Sequence, residues 1–107
     1  MDINQYELVL VYLDPTMGSE MKKTRPCIVI SPNEMNKHLQ MIVIAPLTNS
    51  SKAYPTRVEV NQAQTKGWVV LDQIRTVDRA RIIKKIGILS ASEIEIVKAV
   101  IKETYVD

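Results

Sequence analysis

A mainly β, α+β fold is what this sequence predicts: a small, strongly bent antiparallel sheet or partly closed barrel finished by a C-terminal helix. Three observations predict it. Short apolar runs recur at close intervals up to residue 88. Polar or proline-containing stretches punctuate them, and only the last part of the chain changes to a helical period. At 107 residues the chain is expected to be one domain, 1–107, with a real but modest core.

Each element has its own signal. Residues 7–13, Glu-Leu-Val-Leu-Val-Tyr-Leu, are a continuous apolar run closed by Asp14-Pro15, which reads as a strand covered on both sides. Residues 26–31 and 40–47 are two more such runs, and Ser31 to Lys37 between them reads as a turn or short helical excursion. Residues 56–60 alternate as a half-exposed strand. Residues 67–71 and 81–88 supply two further strands, the second interrupted by Lys84-Lys85. Ser90-Ala91-Ser92-Glu93 fits a capping box, with Leu89 and Ile94 placed as a hydrophobic staple. From there Ile94, Val97, Ile101 and Tyr105 share a face widened by Ile96 and Val100, while Glu95, Lys98 and Lys102 point away. Such an arc predicts a helix packed on a sheet.

Composition removes several function classes. Apolar and charged fractions of 46% and 24% are those of an ordinary soluble protein. No apolar run approaches the ~18–20 residues that cross a bilayer. Met1-Asp2 opens no signal peptide, so a cytoplasmic protein without membrane contact is expected. Cys27 is the only cysteine; it can form no intramolecular disulfide and is expected to be a buried, inert thiol. His38 is the only histidine, which rules out a two-histidine acid–base mechanism within one chain, and its turn context predicts a surface position. The absence of phenylalanine and the 5% aromatic content argue against RNA binding by broad stacking. Net charge is only +2, but Arg75, Arg79, Arg81, Lys84 and Lys85 face a single Asp78 within residues 75–85. That stripe suits phosphates or an acidic peptide, and equally a solvated turn and edge strand.

The most informative stretch is Asp14-Pro15-Thr16-Met17-Gly18-Ser19-Glu20, continuing through Lys22 and Lys23 to Arg25-Pro26-Cys27-Ile28-Val29-Ile30. A loop of Gly, Ser and cationic side chains beside a rigid strand is a physically sensible anion site. The order of these residues resembles the MazF/PemK family of toxin endoribonucleases. Ala45-Pro46-Leu47-Thr48-Asn49, running to Tyr54-Pro55-Thr56, is similar to that family's second block. Gly67-Trp68 through Leu71-Asp72-Gln73-Ile74-Arg75-Thr76-Val77-Asp78 is similar to its third. Three blocks in order, from about residue 6 to the end, make the resemblance specific. One departure precedes the first strand, where many relatives have Gly-Asp and this chain has Tyr6-Glu7.

The resemblance implies an SH3-like barrel and a catalytic pair, Arg25 and Thr48. A guanidinium is planar, permanently charged and suited to two phosphate oxygens at once, and a threonine hydroxyl adds a donor. The implied reaction is sequence-specific cleavage of single-stranded RNA, mRNA foremost, by attack of a 2′-OH on the adjacent phosphorus, with no metal and no cofactor. Arginine is a poor base, with an unperturbed pKa above ~12, so proton removal falls to Glu20 or to Asp72. Relatives that use the Asp72 position pair it with groups that are Val70 and Ser19 here. Ser19, Lys22, Lys23, Asn49, Ser50, Lys52, Tyr54 and Gln73 are candidate RNA contacts. Trp68 is expected in the core or a subunit interface, and Arg75 is read either as part of the third block or as a prop between strands. The resemblance also implies a homodimer and an acidic, MazE-like antitoxin as partner. Two other readings remain: a gyrase poison of the CcdB type on the same barrel, and a catalytically silent SH3-like binding module.

Overall fold

A computed structural model describes residues 1–13, 24–62 and 65–106. Seven strands follow one another: β1 (Glu7–Tyr12), β2 (Thr24–Val29), β3 (Met41–Thr48), β4 (Arg57–Gln62), β5 (Thr65–Val70), β6 (Arg75–Asp78) and β7 (Ile82–Ile88). Helix α1 (Asn33–His38) lies between β2 and β3, and α2 (Ala91–Ile101) ends the fold. The strands form one antiparallel sheet in the order β4-β5-β3-β2-β1-β7, with β6 added to β3. The mainly β architecture with a terminal helix is the one the sequence predicts. Strand β6 was not legible as a strand: only Val77 of its Arg-Thr-Val-Asp is buried, so it has no apolar run to announce it.

Strand β3 organises the sheet. One edge pairs with β2, placing Cys27 opposite Pro46 and Val29 opposite Ile44. The other edge is shared, with Met41 to Ile44 pairing with β6 and Leu47 and Thr48 pairing with β5. Between those two ladders stand Ala45 and Pro46, and a proline has no N–H to offer a ladder. Because side chains alternate, the sheet buries two sets of residues. Leu8, Ile28, Ala45, Leu47, Val58, Val60, Val69 and Leu71 form one cluster, which α2 covers through Val97. Val9, Val11, Cys27, Val29, Ile42, Ile44, Val77 and Ile82 form the other, closed by Ile3. The unbroken apolar runs of β1 and β3 are therefore buried on both faces within the chain.

Polar groups fix the connections. Asn36, buried in α1, donates its Nδ2 to the Ser31 carbonyl at 2.9 Å and accepts from the Ser31 hydroxyl. That hydroxyl in turn accepts from the Val43 amide at 3.1 Å. Arg79 donates to the carbonyls of Asn36 and Leu39, Arg81 donates to the Tyr12 carbonyl at 3.2 Å, and Lys85 pairs with Glu7 at 3.4 Å. Three of the five cations in the basic stripe are thus engaged in holding the fold, while Arg75 and Lys84 remain exposed. His38 is on the surface near Glu34. Tyr6 takes a left-handed φ of 68°, a conformation that costs an L-residue roughly 1–2 kcal/mol. Its amide donates to the Val29 carbonyl at 2.7 Å, its carbonyl accepts from the Leu89 amide at 3.1 Å, and its ring packs on the helix-covered cluster.

Helix α2 starts where the capping box predicts. The Ser90 hydroxyl accepts from the Glu93 amide at 3.2 Å, and the Glu93 carboxylate accepts from the Ser90 amide at 2.9 Å. Leu89 is buried and Ile94 packs on the same cluster, as a staple requires. Val97, Val100 and Ile101 face inward, but Ile96 is 52% exposed, so the apolar arc is narrower than the sequence suggests. Tyr105 lies in a π-helical turn (Lys102–Val106); its ring is half exposed, and its hydroxyl donates to the Leu71 carbonyl at 2.6 Å.

Glu93 does more than cap. It also accepts from the Asn61 amide and the Gln62 side-chain amide of β4, both at 2.9 Å, so one carboxylate ties the helix start to the sheet. Burial alone would raise its pKa, but these hydrogen bonds to the charged form outweigh burial and lower it below the ordinary glutamate value. A depressed carboxylate pKa stabilises the fold above the unfolded-state value, and that contribution disappears as pH falls through the folded-state value. Glu93→Gln should therefore flatten the acid limb of a stability–pH curve measured by urea unfolding, and Ser90→Ala should cost about 1 kcal/mol.

Gly67 of β5 is buried, and a Cβ there would sit 2.8 Å from the Thr48 backbone carbonyl oxygen. Backbone cannot swing aside as a long side chain can, so Gly67→Ala must push the end of β3 away. The expected cost is the overpacking range of about 1–3 kcal/mol, read as a lower melting temperature. Faster hydrogen exchange at Thr48 and Asn49 should accompany it. Unchanged exchange at those amides would show that β5 does not fix the end of β3.

Candidate active site

The register of β2 on β3 determines what meets at the end of the sheet. Cys27 lies opposite Pro46, and the same register carried two residues further sets Arg25 opposite Thr48. Two residues is one full side-chain period, so both side chains emerge on the same face. Arg25 is the second residue of β2 and exposed; Thr48 is the last of β3 and half-buried. Together with Pro26, Leu47, Asn49, Thr65 and Lys66 they line an open cleft of about 400 Å³. Arg25 and Lys66 give it two cations, and no carboxylate lines it among the described residues. Such a cleft favours an anion bearing several acceptor oxygens.

Thr48 is oriented by the loop that follows it. Its hydroxyl donates to the Ser50 carbonyl at 3.1 Å and lies 3.4 Å from the Ser50 amide. Of the candidate RNA contacts, Asn49 reaches the cleft, whereas Ser50 turns the chain behind Thr48. Lys52 is exposed, and its carbonyl accepts from the Ser51 hydroxyl and the Tyr54 amide, both at 2.8 Å. Tyr54 is half exposed with Arg57 over its ring, 5.3 Å from the centroid. Gln73 ends a short 3-10 turn (Leu71–Gln73) and is exposed, outside the cleft lining. Ser19, Glu20, Lys22 and Lys23 lie outside the described residues.

Asp72, one of the two candidate bases, lies outside the cleft and is paired with β4. It sits in the same turn as Gln73 and does not line the cleft. Arg57 Nε reaches its Oδ1 at 3.0 Å, and the Thr56 hydroxyl reaches the same oxygen at 2.9 Å. The Arg57 hydrogen bond, aided by Thr56, holds the Asp72 carboxyl below its usual range. It is therefore a weaker proton acceptor than an unpaired carboxylate. Cys27, fully buried, has its thiol pushed up to about 12 by burial, against the pull of the Arg25 and Arg75 guanidinium groups. It is inert, as its place in an apolar strand implies. Trp68 is half-buried in β5, opposite Thr48 and Glu59.

Sequence reasoning missed Thr65, Lys66 and Arg57. Thr65 and Lys66 follow a polar stretch that gives no sign of facing Arg25; only the β5 register brings them there. Arg57 carried a signal in the alternation of residues 56–60, but its partner is fifteen residues away and its contacts lie in two loops.

Comparison with known proteins identifies the family. The sequence profile of the family described as PemK-like, MazF-like toxin of type II toxin-antitoxin system matches residues 4–105. The endoribonuclease toxin MazF of Escherichia coli K12 is 35% identical over 94 residues, covering 87% of this chain and 85% of that protein. The endoribonuclease MazF of Staphylococcus epidermidis is 33% identical over 97 residues, covering 85% and 81%. Among solved structures, a MazE–MazF complex from Deinococcus radiodurans superposes with a TM-score of 0.84 at 24% identity, covering 96% of this chain and 95% of the other. The profile spans nearly the whole chain, including both strand ends that line the cleft. This chain belongs to the PemK-like, MazF-like toxin family of type II toxin–antitoxin systems.

Proposed function

We propose that this chain is a sequence-specific endoribonuclease toxin that cuts single-stranded RNA, mRNA foremost, without a metal ion. The observation that carries the reading is the placement of Arg25 and Thr48 on one face of adjacent strands, in a cleft that also holds Lys66. Curated relatives above 30% identity are endoribonucleases by name, which supports the same chemistry. In the proposed reaction the 2′-OH of one nucleotide attacks the neighbouring phosphorus, the P–O5′ bond breaks, the leaving O5′ takes a proton from Arg25, and a 2′,3′-cyclic phosphate and a 5′-OH result. Negative charge builds on the phosphoryl oxygens. Arg25 holds two of them through its fork and Thr48 donates to the third, with donors already in place before charge develops. With Asp72 tied to Arg57, the 2′-OH proton passes to Glu20. Asn49 and the loop to Tyr54 read the unpaired bases.

Incubation with unstructured RNA in excess chelator, followed by end mapping, tests this reading. Cleavage should persist and leave 5′-OH ends at a restricted set of sequences; loss on chelation, or equal cutting of duplex RNA, overturns it. Arg25→Ala should lower kcat by about 10²–10³ or more, the range for loss of a transition-state donor. Arg25→Lys should restore little, because an ammonium lacks the fork. Thr48→Ala should lose less than Arg25→Ala.

The Deinococcus structure pairs MazF with MazE, and an acidic antitoxin segment suits the cationic run Lys22, Lys23 and Arg25 of the sequence. A second copy of this chain forms the RNA groove with it in a twofold homodimer. Charge reversal at Lys22 and Lys23 should weaken both RNA cleavage and antitoxin binding, the latter measured by titration at two salt concentrations. Antitoxin affinity that is unchanged while cleavage falls would place inhibition elsewhere on the dimer.

A further inference from the structure

We infer that Arg57 is a positioning residue that clamps the Asn49–Thr56 loop, and with it the Thr48 hydroxyl, in the form that selects the cleaved sequence. The inference rests on the ribonuclease reading for its consequence and on the loop's own contacts for its geometry. Arg57 is the first residue of β4, and its side chain is only 18% exposed despite its charge. Its guanidinium uses all three nitrogens. Nε donates to Asp72 Oδ1 at 3.0 Å, Nη2 approaches Asp72 Oδ2 at 3.4 Å, and Nη1 donates to the Ser51 hydroxyl at 3.0 Å. The plane also lies over the Tyr54 ring. The Thr56 hydroxyl closes the arrangement on Asp72.

Two points of the loop are thus fixed to the turn after β5. Ser51 follows Ser50, whose carbonyl and amide flank the Thr48 hydroxyl, so a path of adjacent contacts runs from Asp72 through Arg57 to the reacting end of β3. Backbone pairing holds only the loop's last residue to the body: the Thr56 carbonyl accepts from the Leu71 amide at 3.0 Å, and the other described backbone bonds are the short turns from Tyr54 to Lys52 and from Arg57 to Tyr54, so Asn49 to Pro55 depend on side-chain anchors. A loop so held loses its conformational freedom before RNA arrives rather than on binding, and specificity built on it depends on the clamp. Lysine cannot replace arginine here, because the three directions require a planar fork.

The test compares Arg57→Met, Arg57→Lys, Asp72→Asn and the Arg57→Met/Asp72→Asn double variant. Cut-site mapping and kcat/KM are measured on single-stranded RNA, and amide hydrogen exchange on the protein alone. Arg57→Met and Arg57→Lys should both broaden the set of cleaved sequences and lower kcat/KM by about tenfold up to 10²-fold, the scale of misplaced catalytic geometry. Exchange should rise at Ser50 to Tyr54 while the amides of Ile28 and Ile44 stay protected. The double variant should be no worse than Arg57→Met, since both changes break one unit. Wild-type cut sites and exchange in Arg57→Lys would overturn the clamp, as would additive losses in the double variant. Failure of the unaltered protein to cut RNA would count against the ribonuclease reading alone, and the exchange measurement would still decide whether Arg57 holds the loop.

Discussion

Backbone hydrogen bonding by β3 is the constraint from which the rest of the structure follows. The strand satisfies one edge with β2 and divides the other between β6 and β5, so its two halves answer to different parts of the chain. Division of that edge bends the sheet and creates its two buried clusters. Each cluster contains residues of β1, β2 and β3, and α2 seals one of them. The pairing also brings the start of β2 beside the end of β3, which is where the cleft opens.

Around that cleft, charge and packing have separate tasks. Arg25 and Lys66 face outward with no described carboxylate in the lining, a state suited to an incoming polyanion. Arg57, Arg79, Arg81 and Lys85 spend their charge on protein carbonyls or carboxylates instead. A sequence count of cations treats these alike. Position in the sheet separates those available to phosphate from those that hold loops and strands together. Asp72 illustrates the same division among acids, since its two oxygens are occupied by the β4 start.

Much of the fold was legible because burial on both faces writes long apolar runs into β1, β2 and β3, and because Ser90 to Glu93 encode a helix start directly. What escaped did so for physical reasons. Strand β6 buries one residue, so neither run nor alternation marks it. Ile96 fits the helical arc by spacing, but the face that packs inward runs through Ile94, Val97, Val100 and Ile101 and leaves Ile96 exposed. At the site, Arg25 and Thr48 were legible through resemblance, and their adjacency required the β2–β3 register. Lys66 and Arg57 act through non-local geometry that composition does not record. Tyr6 reverses the usual lesson. A tyrosine keeps a left-handed turn that glycine would adopt freely, and two backbone hydrogen bonds together with packing of the ring offset the strain.

The split edge of β3 also grades the molecule's local stability. Its first half is pinned by four register pairs to β6, whereas Leu47 and Thr48 are held on that edge by two pairs to β5. Opening free energies in a native protein follow such differences in local contact. On ladder bonding alone the end bearing Thr48 is the weaker half of that edge, and packing of Val58, Val60 and Val69 against Leu8 and Ile28 holds β4 and β5 to the body. A polymer that displaced this end would have to open one of the two buried clusters, so the cleft meets its ligand with its walls already set.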